Sequence, residues 1–163
     1  MDTDGPLPTK TIDYRGGIVS FEVPAHWWER HFEDGGAEFW EEGQSWTLRL
    51  SVLSVAGEPG FYEGRDAWSI LENSTPHDAP ARLLRNGNAL QEVQHREQER
   101  GTEIVIDQWI LCRSVPDDHH RLAIFSFTTL ASETDDAPVE RERAAIRASV
   151  EQAFVSSELG VVP

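Results

Sequence analysis

Two consecutive segments in the second half of the chain carry apolar residues at both of their alternating positions. In residues 102–115 these are Ile104, Ile106, Ile110 and Cys112 on one side, and Val105, Trp109 and Leu111 on the other. In residues 120–131, Leu122 and Ile124 lie opposite Ala123, Phe125 and Phe127. Because successive side chains of a strand point to opposite faces, both faces of these strands must be covered. The short link between them favours antiparallel pairing, so they predict the centre of a covered sheet.

Several further segments have strand character. They are the two arms of a hairpin at 11–14 and 18–23, and strands at 37–41, 46–55 and 89–99. Gly16 and Gly17 supply the positive φ angles that the hairpin turn needs, and Pro24 ends its second arm. We expect an irregular or short helical passage at 26–32. For residues 77–88 the sequence allows two interpretations, one helical turn at 80–84 or a chain reversal at 86–88.

Two segments have helical spacing. The first lies around Trp68, and the second begins at Asp136, where an aspartate can cap the free amide groups and Pro138 fits the first turn. The apolar side of the second helix is predicted to consist of Val139, Ile146, Val150, Ala153 and Phe154. We expect one helix on each face of a central antiparallel sheet of six to seven strands, which is an α+β fold with α/β/α layers.

The length of 163 residues fits one domain. We expect a flexible leader at 1–8, a single domain at 9–157 and a tail at 158–163. The chain has 14 basic and 29 acidic residues, a formal net charge of −15, which disfavours binding to nucleic acid or to an anionic membrane surface. A basic or amphipathic protein or peptide would be attracted. No apolar run reaches the roughly 20 residues that a membrane span needs.

The sequence contains no recognisable reaction centre. Cys112 is the single cysteine, so no intramolecular disulfide can form, and its apolar neighbours predict a core position. The start of the chain lacks the layout of an export signal, and we expect a cytoplasmic protein. The densest group of potential metal ligands comprises His26, Glu29, His31, Glu33 and Asp34, but its spacing matches no known metal motif. We therefore expect no catalytic residue, no cofactor and no metal.

Tryptophan is abundant, with six residues, and carries the functional prediction. Trp46, Trp68 and Trp109 lie on apolar faces and are assigned to the core. The candidate partner-binding residues lie in or near the irregular passage and are Trp27, Trp28, Trp40, Glu29 and Glu33. Adjacent indoles in extended backbone cannot both enter one core, so one of them is expected to offer aromatic area to a partner. The alternative is that Trp27 plugs the end of the sheet and Trp28 covers a neighbouring loop.

The order of these elements resembles that of the Mog1/PsbP-like superfamily, including its bacterial DcrB-related members. The resemblance covers residues 10–156 and rests on a strand hairpin, Pro24-x-x-Trp27, a long strand, a helix, three strands and a closing helix with Ala148-Ser149-Val150. It implies a non-catalytic module, an adaptor or chaperone, because these relatives mostly contact other proteins: a small GTPase, a photosynthetic assembly or secreted effectors.

Two other functions stay open from the sequence. One is a small-molecule carrier or enzyme that uses a cavity between sheet and helix, with His26, Glu29 and His31 at its mouth. The other is a self-associating structural subunit. A deep cavity lined by converging polar groups would favour the first, and a mass that rises with concentration would favour the second.

Overall fold

The computed structural model describes residues 7–56, 80–116 and 119–158. Over these residues the chain forms ten strands and one helix, arranged as two antiparallel sheets. In chain order the elements are β1 (Thr9–Tyr14), β2 (Val19–Pro24), β3 (Trp28–His31), β4 (Ala37–Trp40), β5 (Thr47–Ala56), β6 (Arg82–Leu83), β7 (Ala89–Glu99), β8 (Thr102–Val115), β9 (His119–Leu130), α1 (Ala137–Gln152) and β10 (Phe154–Val155). The helix predicted around Trp68 lies outside the described residues.

The larger sheet has seven strands in the order β3-β4-β5-β9-β8-β7-β6. At its centre β8 and β9 pair antiparallel, as predicted, with Trp109 opposite Phe125 and Ile110 opposite Ile124. Both faces of these strands contribute to buried clusters. One face belongs to the main core, and the other carries a smaller cluster formed by Ala81, Ala89, Ile110 and Cys112. The apolar residues on the two faces of β8 and β9 therefore lie in two separate apolar clusters.

The first hairpin forms a sheet of its own. β1 and β2 pair as predicted, and Gly16 and Gly17 take φ values of 73° and 93° in the turn. The hairpin lies outside the large sheet and joins β10 in a three-stranded sheet with the order β1-β2-β10. Only one face of the hairpin is apolar, so it packs face to face on the large sheet. Phe21 and Val23 are buried there, and the Phe21 ring lies 5.0 Å from that of Phe125.

The helix α1 lies on the same face of the large sheet as the small sheet. Its buried apolar residues, Val139, Ile146 and Val150, join the main core as predicted. Asp136 precedes the helix, but its side chain makes no capping hydrogen bond, so that part of the prediction is wrong. Among the described residues, no helix is long and apolar enough to cross a membrane.

The end of α1 also differs from the prediction. Phe154 does not extend the apolar side of the helix, because Ala153 is extended, with ψ 143°, and ends it. Phe154 instead begins β10, and its side chain is exposed. Helical spacing no longer applies beyond a residue in extended conformation, so the last apolar position of the periodic pattern was misassigned.

Two short strands occupy segments without a clear strand pattern. The passage at 26–32 contains β3, an exposed strand at the edge of the large sheet, and not the irregular or helical structure that we predicted. At 80–88 the reversal is present and the helical turn is not. There β6 leads into a tight turn in which the amide of Leu84 donates to the carbonyl of Asn88 at 2.8 Å.

Candidate binding surface

Trp27 and Trp28 have opposite environments. The amide of Trp27 donates to the carbonyl of Pro24, which closes a turn directly before β3 begins. The Trp27 indole is 3% exposed and lies 4.8 Å, between ring centres, from that of Trp46, whereas Trp28 is 56% exposed. Successive residues in extended backbone point to opposite sides, so one indole enters the core and its neighbour faces solvent. Trp27 thus cannot itself contact a partner in this conformation.

The exposed indole belongs to a small surface on the outermost hairpin. In the register of β3 and β4, Trp28 lies opposite Trp40, and Arg30 lies opposite Glu38. These four residues share one side of the hairpin, and we call them the tryptophan face. The Arg30 guanidinium carbon is 5.8 Å from the centre of the Trp40 ring, and Glu38 forms an ion pair with Arg49 at 3.5 Å. The surface therefore combines two indoles with charges of both signs.

Glu29 points to the other side of the hairpin. Its carboxylate lies 3.0 Å from Lys10 Nζ and 3.2 Å from His31 Nε2. The hydrogen bond from Lys10 is the main reason that the pKa of Glu29 lies below its ordinary value. The His31 ring stacks on that of Tyr14, with 6.3 Å between ring centres. Glu29 thus pairs with Lys10 of the small sheet and with His31, away from the tryptophan face.

Glu33 is also separated from the tryptophan face. It lies in the turn that joins β3 to β4, whereas Trp28 and Trp40 are at the opposite end of the hairpin. Its backbone carbonyl accepts a hydrogen bond from Arg15 at 3.2 Å. The structure therefore brings together two of the five predicted residues, and adds Arg30 and Glu38. Strand alternation would have placed Arg30 beside Trp28, had the passage been assigned as a strand.

The outer edge of β3 is partly occupied. The Phe32 amide donates to the Gly36 carbonyl at 3.0 Å, so by the alternation of an antiparallel ladder the main-chain groups of Glu29 and His31 point away from β4. On either side of them, Lys10 donates to the carbonyl of Trp27 at 2.7 Å and Arg15 to that of Glu33. Basic side chains thus limit how long a strand could add to this edge.

A second group of titratable residues lies near the start of α1. His26 Nε2 is 2.9 Å from a carboxylate oxygen of Glu41. Burial, followed by the charge of Glu41, raises the pKa of Glu142, and His26 and Arg141 oppose this shift. The charge of Glu142 is therefore incompletely compensated in the folded protein.

Glu142→Gln is expected to stabilise the protein near neutral pH. Since the pKa of Glu142 is raised in the folded state, folding is most favourable below the ordinary glutamate pKa of about 4.3 and weakens as the pH rises through the folded-state value. In urea unfolding at about pH 7, the free energy of unfolding should be higher for the glutamine variant than for the unmodified protein. This difference in free energy should shrink at about pH 4. Glu99→Gln, an exposed carboxylate on β7, is the control. A constant difference at both pH values would contradict the prediction.

The described residues offer little room for chemistry inside the fold. The cavity between the large sheet and α1 measures about 30 Å³ and is lined in part by Phe21, Trp27 and Ile146. Cys112 is buried, and burial raises the pKa of its thiol to about 12, which keeps it protonated and unreactive. Within the described ranges, no group of three or more His, Cys, Asp or Glu side chains is arranged to hold a metal ion.

The comparisons with known proteins concern the fold. No protein-family model and no curated protein matches the chain. A structure from Bacteroides thetaiotaomicron VPI-5482 is similar, with a TM-score of 0.59 and 17% identity over 90% of this chain, and this chain spans 48% of its length. LpqN of Mycobacterium tuberculosis, involved in cell envelope biogenesis, gives a TM-score of 0.55 and 13% identity, and the match covers 93% of this chain and 92% of LpqN.

A cyanobacterial PsbP from Synechocystis sp. PCC 6803 is also matched, with a TM-score of 0.46 and 9% identity, over 96% of this chain and 97% of that protein. LpqN has a Mog1/PsbP-like fold, and its similarity extends over nearly the whole of both chains. The chain therefore has the Mog1/PsbP-like α+β fold that the order of its elements predicts. At these identities the likeness is one of fold alone.

Proposed function

We propose that this protein is a non-catalytic module that binds a protein or peptide partner through the tryptophan face. The observation that carries the proposal is the exposed indole of Trp28 beside Trp40 on the outermost hairpin. Tryptophan and arginine are the residue types that most often dominate binding energy, and Arg30 lies on the same face. Covering such an indole removes apolar area from water without reorganising the core.

The partner that suits this surface is a basic or amphipathic segment. The net charge of −15 attracts basic partners over long range, and cationic side chains can approach the faces of Trp28 and Trp40. Because Lys10 and Arg15 occupy carbonyls next to the free edge of β3, docking through side chains is favoured over the addition of a long strand.

The alternative of a carrier or enzyme is less well supported. The cavity between the large sheet and α1, about 30 Å³, has room for about one water molecule, whereas pockets for small-molecule ligands are typically about ten times larger or more. A larger concavity beside α1 is an open groove on the surface and not a cavity between sheet and helix. His26, Glu29 and His31 do not line that cavity. His26 pairs with Glu41, and His31 pairs with Glu29, at the protein surface. Such exposed ion pairs are common and need no ligand site to explain them.

Trp28→Ala is expected to abolish capture of the partner. Truncating a central aromatic residue of an interface costs about 2 kcal/mol or more, which is roughly a thirtyfold loss of affinity. We would immobilise the protein, capture partners from a lysate of its native host, and compare the recovered proteins by quantitative mass spectrometry. The strongest partner would then be purified and titrated against both forms.

The matched control for this experiment is Leu83→Ala. Leu83 is a large apolar residue, also exposed, on β6 at the opposite edge of the same sheet. Proteins that are still recovered with the Leu83→Ala variant, but are no longer recovered with the Trp28→Ala variant, would support binding through the tryptophan face. An identical set of partners with Trp28→Ala would rule that face out. If the molecular mass of the protein in solution rises with its concentration, and the Trp28→Ala variant stays a monomer, the alternative of a self-associating subunit would be favoured.

A further inference from the structure

A groove lies between α1 and the outer side of the small sheet. It has a volume of about 740 Å³ and is open to solvent. Its floor consists of outward side chains of β1 and β2, and Ala145 and Ala148 of α1 form one wall. The Ser149 hydroxyl donates to the Glu22 carbonyl at 2.6 Å and accepts from the Glu22 amide at 3.3 Å, which occupies the edge of β2. A partner in this groove would therefore bind through side chains.

Two large apolar side chains are exposed in the groove. Leu7 is 66% exposed and Phe154 is 57% exposed, and both belong to its lining. Among the large apolar residues that the structure describes, these are the largest and the third largest exposed fractions, with Leu83 on β6 between them at 62%. Two such residues at one concave surface indicate an interaction site rather than scattered surface apolar residues.

The charged residues of the groove are acidic. Glu22 and Glu142 line it, and among the described residues of its lining there is no lysine or arginine. Asp13, on β1, accepts a hydrogen bond from Ser20, which is also part of the lining. Burial and then the charge of Glu41 raise the pKa of Glu142. Apolar side chains beside carboxylates that lack a basic neighbour in the lining are complementary to a cationic amphipathic ligand.

We propose that this groove binds a cationic amphipathic segment of another protein. The apolar side chains of that segment would cover Leu7 and Phe154, and its lysines or arginines would approach Glu22 and Glu142. This site is distinct from the tryptophan face, because its residues come from α1, β1, β2, β10 and the segment before β1, and not from the β3–β4 hairpin. It therefore does not depend on the function proposed above.

The test uses the full chain and a synthetic helical peptide of about 18 residues, with leucine on one face and lysine on the other. Binding would be followed by fluorescence anisotropy of the labelled peptide. Phe154→Ser and Glu142→Gln are each expected to weaken binding by about tenfold. The matched controls are Leu83→Ser and Glu99→Gln, which make the same kinds of change at exposed positions outside the groove. Circular dichroism would establish that each variant is folded.

The outcomes separate the possible occupants. Weaker binding with both groove variants, unchanged binding with the controls and with Trp28→Ala, and lower affinity at higher salt support the proposal. No binding up to about 1 mM peptide would overturn it. Equal binding of a peptide with glutamate in place of lysine would overturn the charge argument. A dimer that Phe154→Ser dissociates would assign the groove to a second copy of the chain instead.

Discussion

Replacing Arg143 with alanine is expected to lower the free energy of unfolding by about 3–5 kcal/mol, because it removes one partner of a buried ion pair. Arg143 is 6% exposed, and its Nε donates to Asp107 Oδ2 at 2.8 Å. Its terminal nitrogens donate to the carbonyl and the hydroxyl of Thr134 at 3.1 and 2.6 Å. Alanine would leave the Asp107 carboxylate buried, with the Gln94 amide at 2.7 Å as its remaining partner in the described residues.

The double variant Arg143→Met with Asp107→Asn shows whether the unpaired charge causes that loss. It removes both charges, keeps much of the side-chain volume and retains a group that can bond to Gln94. We expect it to recover more than half of the stability that Arg143→Ala loses, because replacing both partners of a buried pair is often close to neutral. Urea unfolding with matched slopes gives both values. A loss below about 1 kcal/mol for Arg143→Ala would mean that the pair behaves like a surface ion pair.

The core of the large sheet could be predicted because its strands are long and their alternation is unambiguous. In residues 102–115 and 120–131 the apolar residues fall on both faces of the strands. This pattern is satisfied by a central pair of strands with apolar contacts on both sides. The buried positions of α1 followed equally from its spacing. In that same spacing Arg143 occupies the inner side between Val139 and Ile146, but a charged residue there is normally assigned to the surface.

The edge of the sheet could not be predicted in the same way. All four residues of β3 are exposed, so the strand has no apolar alternation and is held by its pairing with β4. Without a strand there, the sequence groups Glu29 with the indoles, although strand pleating directs its side chain to the other side of the hairpin. The separation of the first hairpin into its own sheet depends on its contact with β10, a partner more than 100 positions later in the chain. Local patterns contain no information about such a pairing.

Alanine at the adjacent positions Trp27 and Trp28 is expected to have very different effects on stability. Trp27 packs against Trp46 and lines the cavity beneath α1, so Trp27→Ala should lower the free energy of unfolding by about 3–5 kcal/mol. Trp28 is largely exposed, and Trp28→Ala should change that free energy by no more than about 0.5 kcal/mol. Urea unfolding followed by circular dichroism measures both variants without relying on the fluorescence of the residues that are removed.

Trp27→Phe separates packing from hydrogen bonding at the buried position. The Trp27 Nε1 atom is buried and has no hydrogen-bond partner among the described residues, so phenylalanine removes a polar group that gains nothing in the folded state. We expect this variant to lose less than about 2 kcal/mol, clearly less than alanine, because most of the aromatic contact with Trp46 is kept. Equally large losses for Trp27→Ala and Trp28→Ala would contradict the division of the two indoles between core and surface. Any binding defect of Trp28→Ala would then follow from unfolding and would no longer identify a docking face.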